Sequence, residues 1–209
     1  GSGRMSEPAD IAAAAYQLAV KRPRLLAGKT AIVTAGPTIE PIDSVRFIAN
    51  HSSGKQGYAV AAALAAHGAA VTLISGPVNL PPPAQVNRIS VQTAEQMLAA
   101  TQAALPADIA VCAAAVADWR VAGSRHAKLK KPDRGTAEPM QLSLCENPDI
   151  LASIAQSDQR PELVIGFAAE TEDLQENAIA KRQRKQCDWI IANQVGGEAD
   201  PVFGSDINH

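Results

Sequence analysis

Short, almost uninterrupted apolar runs alternate along this chain with longer segments whose apolar residues recur at helical spacing. The runs 31–35 (AIVTA), 71–75 (VTLIS), 87–91 (NRISV), 109–115 (IAVCAAA), 163–168 (LVIGFA) and 189–193 (WIIAN) read as strands. They lack the strict apolar–polar alternation of a half-solvated sheet, as expected of strands covered on both faces. Helical patterns fill 54–67, 93–104, 148–156 and 172–186, and Thr93 with Gln96 supplies a capping box for the second. Segment 139–145 alternates and reads as a possible extra strand. Alternating β and α units predict a doubly wound, Rossmann-like α/β fold with a mostly parallel sheet and helices on both faces.

Ligands of such folds bind outside the carboxyl ends of the strands, so the residues after each strand matter most. After the first come Gly36-Pro37-Thr38-Ile39-Glu40-Pro41, Arg46 and the run ANHSSGKQG. After the fourth come Val116-Ala117-Asp118-Trp119-Arg120 and a loop with Lys128, Lys130 and Lys131. Ala169-Glu170-Thr171 and Asn193-Gln194 follow the last two. All four polar clusters fall on one edge of the predicted sheet.

Composition narrows the class. The 209 residues suffice for one sizeable core, and a net charge of -2 gives no pull toward nucleic acid or an anionic membrane. No apolar run is long enough to span a bilayer. The three cysteines, Cys112, Cys145 and Cys187, form neither a disulfide framework nor a CxxC site, which reads as a reduced, cytoplasmic chain. The opening GSGR reads as a tag remnant, and the end at Asn208-His209 lacks a helix to close the last unit, so a piece cut at both ends is expected.

Gly54-Lys55 imitates a phosphate loop but fails the Walker pattern, with Ala49 and Gln56 at the deciding positions. A lone Ser-Ser-Gly reads as a helix cap. Arg46 and the long lead-in from Gly36 turn the reading toward an anion site at a helix N-terminus. The Lys128-Leu129-Lys130-Lys131 run is either a solvated basic loop or a triphosphate clamp. Lys181 and Lys185 share a helix face, and dipole complement and ligand contact weigh equally there. The histidines have no metal-ligand spacing, and no residue pattern points to a covalent nucleophile.

The blocks TAGPTIEPIDSVRFIANHSSGKQG, CAAAVADWR, KLKK, NPDIL, GFAAET and AKRQRKQCDWIIAN, in this order, resemble the phosphopantothenoylcysteine synthetase domain of bacterial coenzyme A biosynthesis. The resemblance runs from Lys29 to His209. It implies a ligase domain over 28–209, and over 1–27 the tag remnant with the tail of a preceding flavin-dependent decarboxylase. FMN would belong to that partner. The family's domain continues past SDxN, so a C-terminal truncation is expected.

The resemblance also implies the chemistry. CTP activates 4′-phosphopantothenate as an acyl-cytidylate with loss of pyrophosphate, magnesium accompanies the triphosphate, and L-cysteine then displaces CMP. Asn50 holds the acyl carbonyl or acyl phosphate, and Lys128 stabilises charge as the cytidylate forms. Arg46 meets the substrate phosphate, across a homodimer interface, with Ser52, Ser53 and Ala115 on the substrate side. Cys112, Ala113, Ala114, Asp118 at the ribose, Pro148, Asp149, Ile150, Leu151, Phe167, Lys181 and Lys185 line the nucleotide, and the metal ligands stay unassigned. Two other classes compete. A dinucleotide-dependent oxidoreductase wants GxGxxG after the first strand, where Pro37 stands and later glycines are missing. A non-catalytic nucleotide-binding module needs neither Asn50 nor Lys128.

Overall fold

The computed structural model describes residues 24–123, 128–129, 140–170 and 172–194. Six strands form one parallel sheet: β1 (Thr30–Ala35), β4 (Ala70–Ser75), β5 (Val86–Ser90), β6 (Ile109–Cys112), β9 (Leu163–Glu170) and β10 (Trp189–Gln194). Their order is β10-β9-β6-β1-β4-β5. The chain winds outward from β1 to one edge, returns to β6 beside β1, and winds outward again. That reversal between β1 and β6 is the topological switch point of a doubly wound sheet.

Helices α1 (Lys55–Ala66), α2 (Ala94–Ala103), α3 (Ile150–Ala155) and α4 (Leu174–Lys185) cover both faces. The alternation of β1 explains the layering. Ala31, Val33 and Ala35 pack with Leu73, Val111 and the α1 residues Tyr58, Ala61 and Ala65. Ile32 points the other way, to Ile74, Ala110, Met97 of α2, and Ile150 and Ile154 of α3. The predicted Thr93–Gln96 box caps α2 in both directions.

Two short antiparallel ribbons were not predicted as such. One pairs β2 (Ile39–Pro41) with β3 (Phe47–Ala49), the other β7 (Trp119–Val121) with β8 (Leu144–Glu146). The run expected at 139–145 therefore contributes only its end to a strand, and it pairs outside the main sheet. The strand expected to reach residue 115 ends at Cys112. Beyond it, Ala113 N–H bonds to Thr34 O and Ala115 N–H to Gly36 O, with a single bridge between Pro37 and Ala115. The chain there follows the end of β1 without building a ladder.

Small residues let the loops at this end converge. A Cβ on Gly57 of α1 would stand 2.6 Å from the Ala35 Cβ, and one on Gly76, after β4, would stand 1.7 Å from the Pro37 carbonyl oxygen. No rotamer change relieves a clash with backbone. Gly76→Ala should therefore destabilise the fold by about 3 kcal/mol, the upper end of overpacking costs. Gly123 has open space around its Cβ position but a φ of 73°, so Gly123→Ala should cost only about 1 kcal/mol in backbone strain. Urea midpoints of the two variants check the ranking, and equal midpoints would contradict it.

Candidate active site

The two ribbons are inserted where a simple sheet would pass directly to its next helix. The β2–β3 ribbon lies between β1 and α1, the β7–β8 ribbon between β6 and α3, and β2 packs against β7. Residues 36–38 and Glu40, leading into the first ribbon, are buried. Thr38 Oγ1 accepts from Ala117 N–H at 3.0 Å, and Ile39 N–H donates to Gln92 O at 2.8 Å. Glu40 is 1 % exposed and its Oε1 accepts from Ala94 N–H at 2.9 Å, in the first turn of α2. A carboxylate there meets both an unsatisfied N–H and the positive end of the helix.

The turn of this ribbon carries a knot around Asp43. Its Oδ1 accepts from the N–H groups of Val45 (2.9 Å) and Arg46 (3.0 Å). Its Oδ2 accepts from Arg46 Nε (3.0 Å), Arg46 Nη2 and Leu129 N–H (3.0 Å). Arg46 Nη2 also donates to Leu129 O at 2.7 Å. Burial by itself would raise the Asp43 carboxyl, but the bonds from Arg46 and from the backbone of Val45, Leu129 and Arg46 outweigh it and hold it well below the usual carboxylate range. Arg46 is the fork expected to match a phosphate. Its Nε–Nη2 edge grips a carboxylate of its own chain. Among the described residues Nη1 has no partner, and the side chain is 40 % exposed. Lys128, exposed and adjacent to Leu129, is thereby held beside Arg46, whereas Lys130 and Lys131 lie outside the described residues.

Asn50, exposed just past β3, donates from Nδ2 to Val116 O at 3.0 Å, which joins the first ribbon to the loop after β6. Ser52 and Ser53 do not cap α1. Their hydroxyls accept from Gly54 N–H (3.3 Å) and Lys55 N–H (3.4 Å), two residues on in each case. Gly54 takes the cap position with φ 73° and no side-chain cap bond. Two of the N–H groups expected to face an anion are thus already taken, and the first turn of α1 keeps its remaining ones.

The residues assigned to the nucleotide, together with Ala115 from the substrate side, fall into two sets. Ala113, Ala114 and Ala115 line the end of β6, and exposed Asp118 follows them, with its carbonyl accepting from Asn147 N–H at 2.8 Å. Pro148 and Asp149 lead into α3. Asp149 caps that helix through Ala152 N–H at 3.0 Å and forms an ion pair with Lys185 of α4. The Lys181 side chain has no bond partner among the described residues. Ile150 and Leu151 are buried in the core, at 4 % and 8 % exposure, so only their backbone is available to a ligand. Phe167 packs with the α1-side cluster. Cys112 packs between the α2-side cluster and Leu151, Ala155 and Cys187. Burial pushes its thiol up to about 12, with Cys187 adding to the shift and Thr34 opposing it.

Asp43 and Thr34 escaped the sequence reading, which placed Thr38 and Glu40 in the cluster after the first strand without giving them partners. Asp43 had a detectable signal, since an Asp followed by Ser-Val-Arg can bond N–H groups two and three residues on. Nothing local marks Glu40, whose partner lies in a distant helix. Among the described residues, no three His, Cys, Asp or Glu side chains converge on a metal-sized position. Two cavities, of about 300 and 420 Å³, lie elsewhere, one at the amino ends of β1 and β4 and one between α4 and β10.

Fold and site define a doubly wound α/β protein whose polar groups gather over the switch point on two inserted ribbons. The chain belongs to the family described as DNA/pantothenate metabolism flavoprotein C-terminal domain, which matches residues 26–209. It is 45% identical over 207 residues to the coenzyme A biosynthesis bifunctional protein CoaBC of Vibrio vulnificus, covering 99% of this chain and 51% of that protein. Against the protein of the same name from Escherichia coli it is 45% identical over 212 residues, with 100% and 51% covered. The chain thus spans about half the length of these relatives. The crystal structure of the C-terminal domain of a CoaBC protein superposes with a TM-score of 0.68 at 38% identity, covering 81% of this chain and 79% of that one.

The packing of Cys112 generates a prediction. A thiol held high and wedged between two core clusters forms little thiolate, as does Cys187, which burial also pushes up. Iodoacetamide at pH 8 should label Cys145 and spare Cys112 and Cys187 until urea is added, as read by peptide mass mapping. Native labelling of Cys112 would place its sulfur in the open crevice instead.

Proposed function

We propose that this chain joins 4′-phosphopantothenate to L-cysteine through an acyl-cytidylate formed from CTP. Family membership and the names of its relatives support the ligase reading. The observation that carries it is the approach of Leu129, and with it Lys128, to Arg46 at the carboxyl edge of the sheet, with Asn50 four residues past Arg46 and bonded to the loop after β6.

In the first half-reaction a carboxylate oxygen of the acid attacks the α-phosphorus of CTP and pyrophosphate leaves. No side-chain nucleophile is required. The chemistry needs alignment of two anions and cations where phosphoryl charge develops, and Lys128 is suited to that role. Arg46 offers Nη1 to the phosphate of the acid, its opposite edge being anchored on Asp43. Ala113, Ala114, Asp118 and the backbone of 148–151 border the nucleotide, with Phe167, Lys181 and Lys185 at its margin. In the second half-reaction the cysteine amine attacks the acyl carbon and CMP leaves. Charge grows on the carbonyl oxygen, and the Asn50 amide, held on Val116 O, is read as the donor to it. Magnesium would accompany the triphosphate, on whose oxygens it is commonly held with few protein ligands.

The ligase domain is read as residues 28–209, with 1–27 as a tag remnant and the tail of a decarboxylase that would carry FMN. A cytoplasmic place for the chain fits this reading, and no helix among the described residues is long and apolar enough to cross a membrane. Exposed Val45, Phe47, Trp119, Met140 and Leu144, on and beside the two packed ribbons, support a homodimer through this face. The oxidoreductase reading loses support because β1 runs into a buried connector and a ribbon, with no tight glycine turn opening a helix.

Incubation with 4′-phosphopantothenate, CTP and cysteine should release pyrophosphate and CMP, and a chain that releases neither would overturn the reading. Lys128→Gln should slow pyrophosphate release by at least about tenfold with the fold unchanged. Asn50→Asp should block cysteine transfer more than cytidylation, so label from CTP stays with the protein until cysteine is added. Equal loss of both steps would reduce Asn50 to general binding. Arg46→Lys should raise the apparent KM for the acid and leave that for CTP nearly unchanged, whereas equal weakening would make Arg46 purely structural.

A further inference from the structure

We propose that Asp43 is the positioning residue of this site, a buried carboxylate that seats the Lys128 segment against the Arg46 ribbon. The inference rests on the ligase reading for its chemical meaning, and on geometry for its substance. Asp43 lies in the ribbon turn, with its side chain wholly covered. One of its oxygens is spent locally, on the N–H groups of Val45 and Arg46, and fixes the turn. The other is shared between the Arg46 guanidinium and the Leu129 N–H at 3.0 Å. Arg46 Nη2 completes the ring by donating to Leu129 O at 2.7 Å.

Residue 129 therefore has both backbone groups bound to the ribbon turn, and Lys128 is the neighbouring residue. A lysine in an exposed segment samples many positions, and each one outside the reactive geometry is unproductive. Clamping the adjacent peptide unit removes the backbone part of that freedom while leaving Lys128 exposed. The same carboxylate orients Arg46 through Nε and Nη2, leaving Nη1 to face a ligand. One buried charge thus sets two cations, one read as acting on the acid and the other on the transferring phosphoryl group. Burial of that charge is tolerated because five hydrogen bonds meet it, two of them from a guanidinium.

Asp43→Asn is the test. The amide keeps the shape and one acceptor but presents N–H donors where Arg46 and Leu129 also donate. In the full chain, amide hydrogen exchange at Leu129 should speed up by at least about tenfold, with the amides of β1 and β4 unchanged, because a local tether is lost and not the global fold. Unchanged Leu129 exchange would overturn the proposal. At saturating acid, where a weakened Arg46 no longer limits, pyrophosphate release should fall by about tenfold and by no more than Lys128→Gln lowers it. The double variant Asp43→Asn, Lys128→Gln should be no slower than Lys128→Gln alone, since both changes remove one contribution. Additive slowing would overturn the proposal and make Asp43 a structural residue only. If Lys128→Gln itself releases pyrophosphate at the wild-type rate, the ligase role of Lys128 fails, and the exchange result alone decides whether Asp43 seats this segment. Asp43→Glu, which keeps the charge, should recover part of both readouts, and it takes the place of Asp43→Asn should that variant not fold.

Discussion

Backbone meets backbone at the carboxyl end of β1, and the site exists because nothing larger than hydrogen stands between. Gly76 after β4 abuts the Pro37 carbonyl, Gly57 lets α1 settle on Ala35, and Gly36 and Gly54 lie against each other beneath Val78. Tyr58 of α1 donates to Ser75 Oγ at 3.0 Å across the same junction, and that hydroxyl donates on to Gly76 O. Side chains at these positions would force the loops apart. The connector 36–41 could then not run buried from β1 toward α2, and the first ribbon would lose its footing.

From that junction the polar scaffold follows by satisfaction of backbone groups. The connector leaves the sheet before its N–H and C=O groups have strand partners, so they find others: Ala115 O, Gln92 O and, through Thr38, Ala117 N–H. Glu40 then takes the start of α2 and Asp43 takes the ribbon turn. Two buried carboxylates on one connector would be costly if left unpaired, and neither is. One faces a helix N-terminus, the other a guanidinium with three backbone N–H groups. The outcome is a rigid ledge above the switch point, on which Arg46 and Asn50 are fixed and against which Lys128 is held.

The two carboxylates differ in what they organise. Glu40 joins elements of the fold, and its partner is a helix end. Asp43 joins two segments that both carry residues of the proposed chemistry. On the proposed reading, placing cations this way would separate the charge that acts on substrate from the charge that arranges, with the exposed ends of Arg46 and Lys128 left to anions.

Six strands were legible as nearly continuous apolar runs, four helices by their apolar period, and the Thr93–Gln96 cap because both partners sit within one turn. The doubly wound class follows from that alternation, since parallel strands joined by helices must cover both faces. Arg46 and Lys128 were legible as cations suited to an anion, whereas a role for Asn50 came only from the family resemblance. Tertiary structure decided the rest. Strands of three residues, as in β2, β3, β7 and β8, carry no detectable period, so the ribbons stayed hidden. Whether a serine caps a helix or bonds the N–H two residues on depends on the φ of Gly54, and Gly54 is left-handed because it lies against Gly36 and Val78. The use of the Arg46 guanidinium was equally invisible. A fork that fits phosphate fits a carboxylate just as well, and only the approach of Leu129 to the ribbon turn shows which edge is already bound.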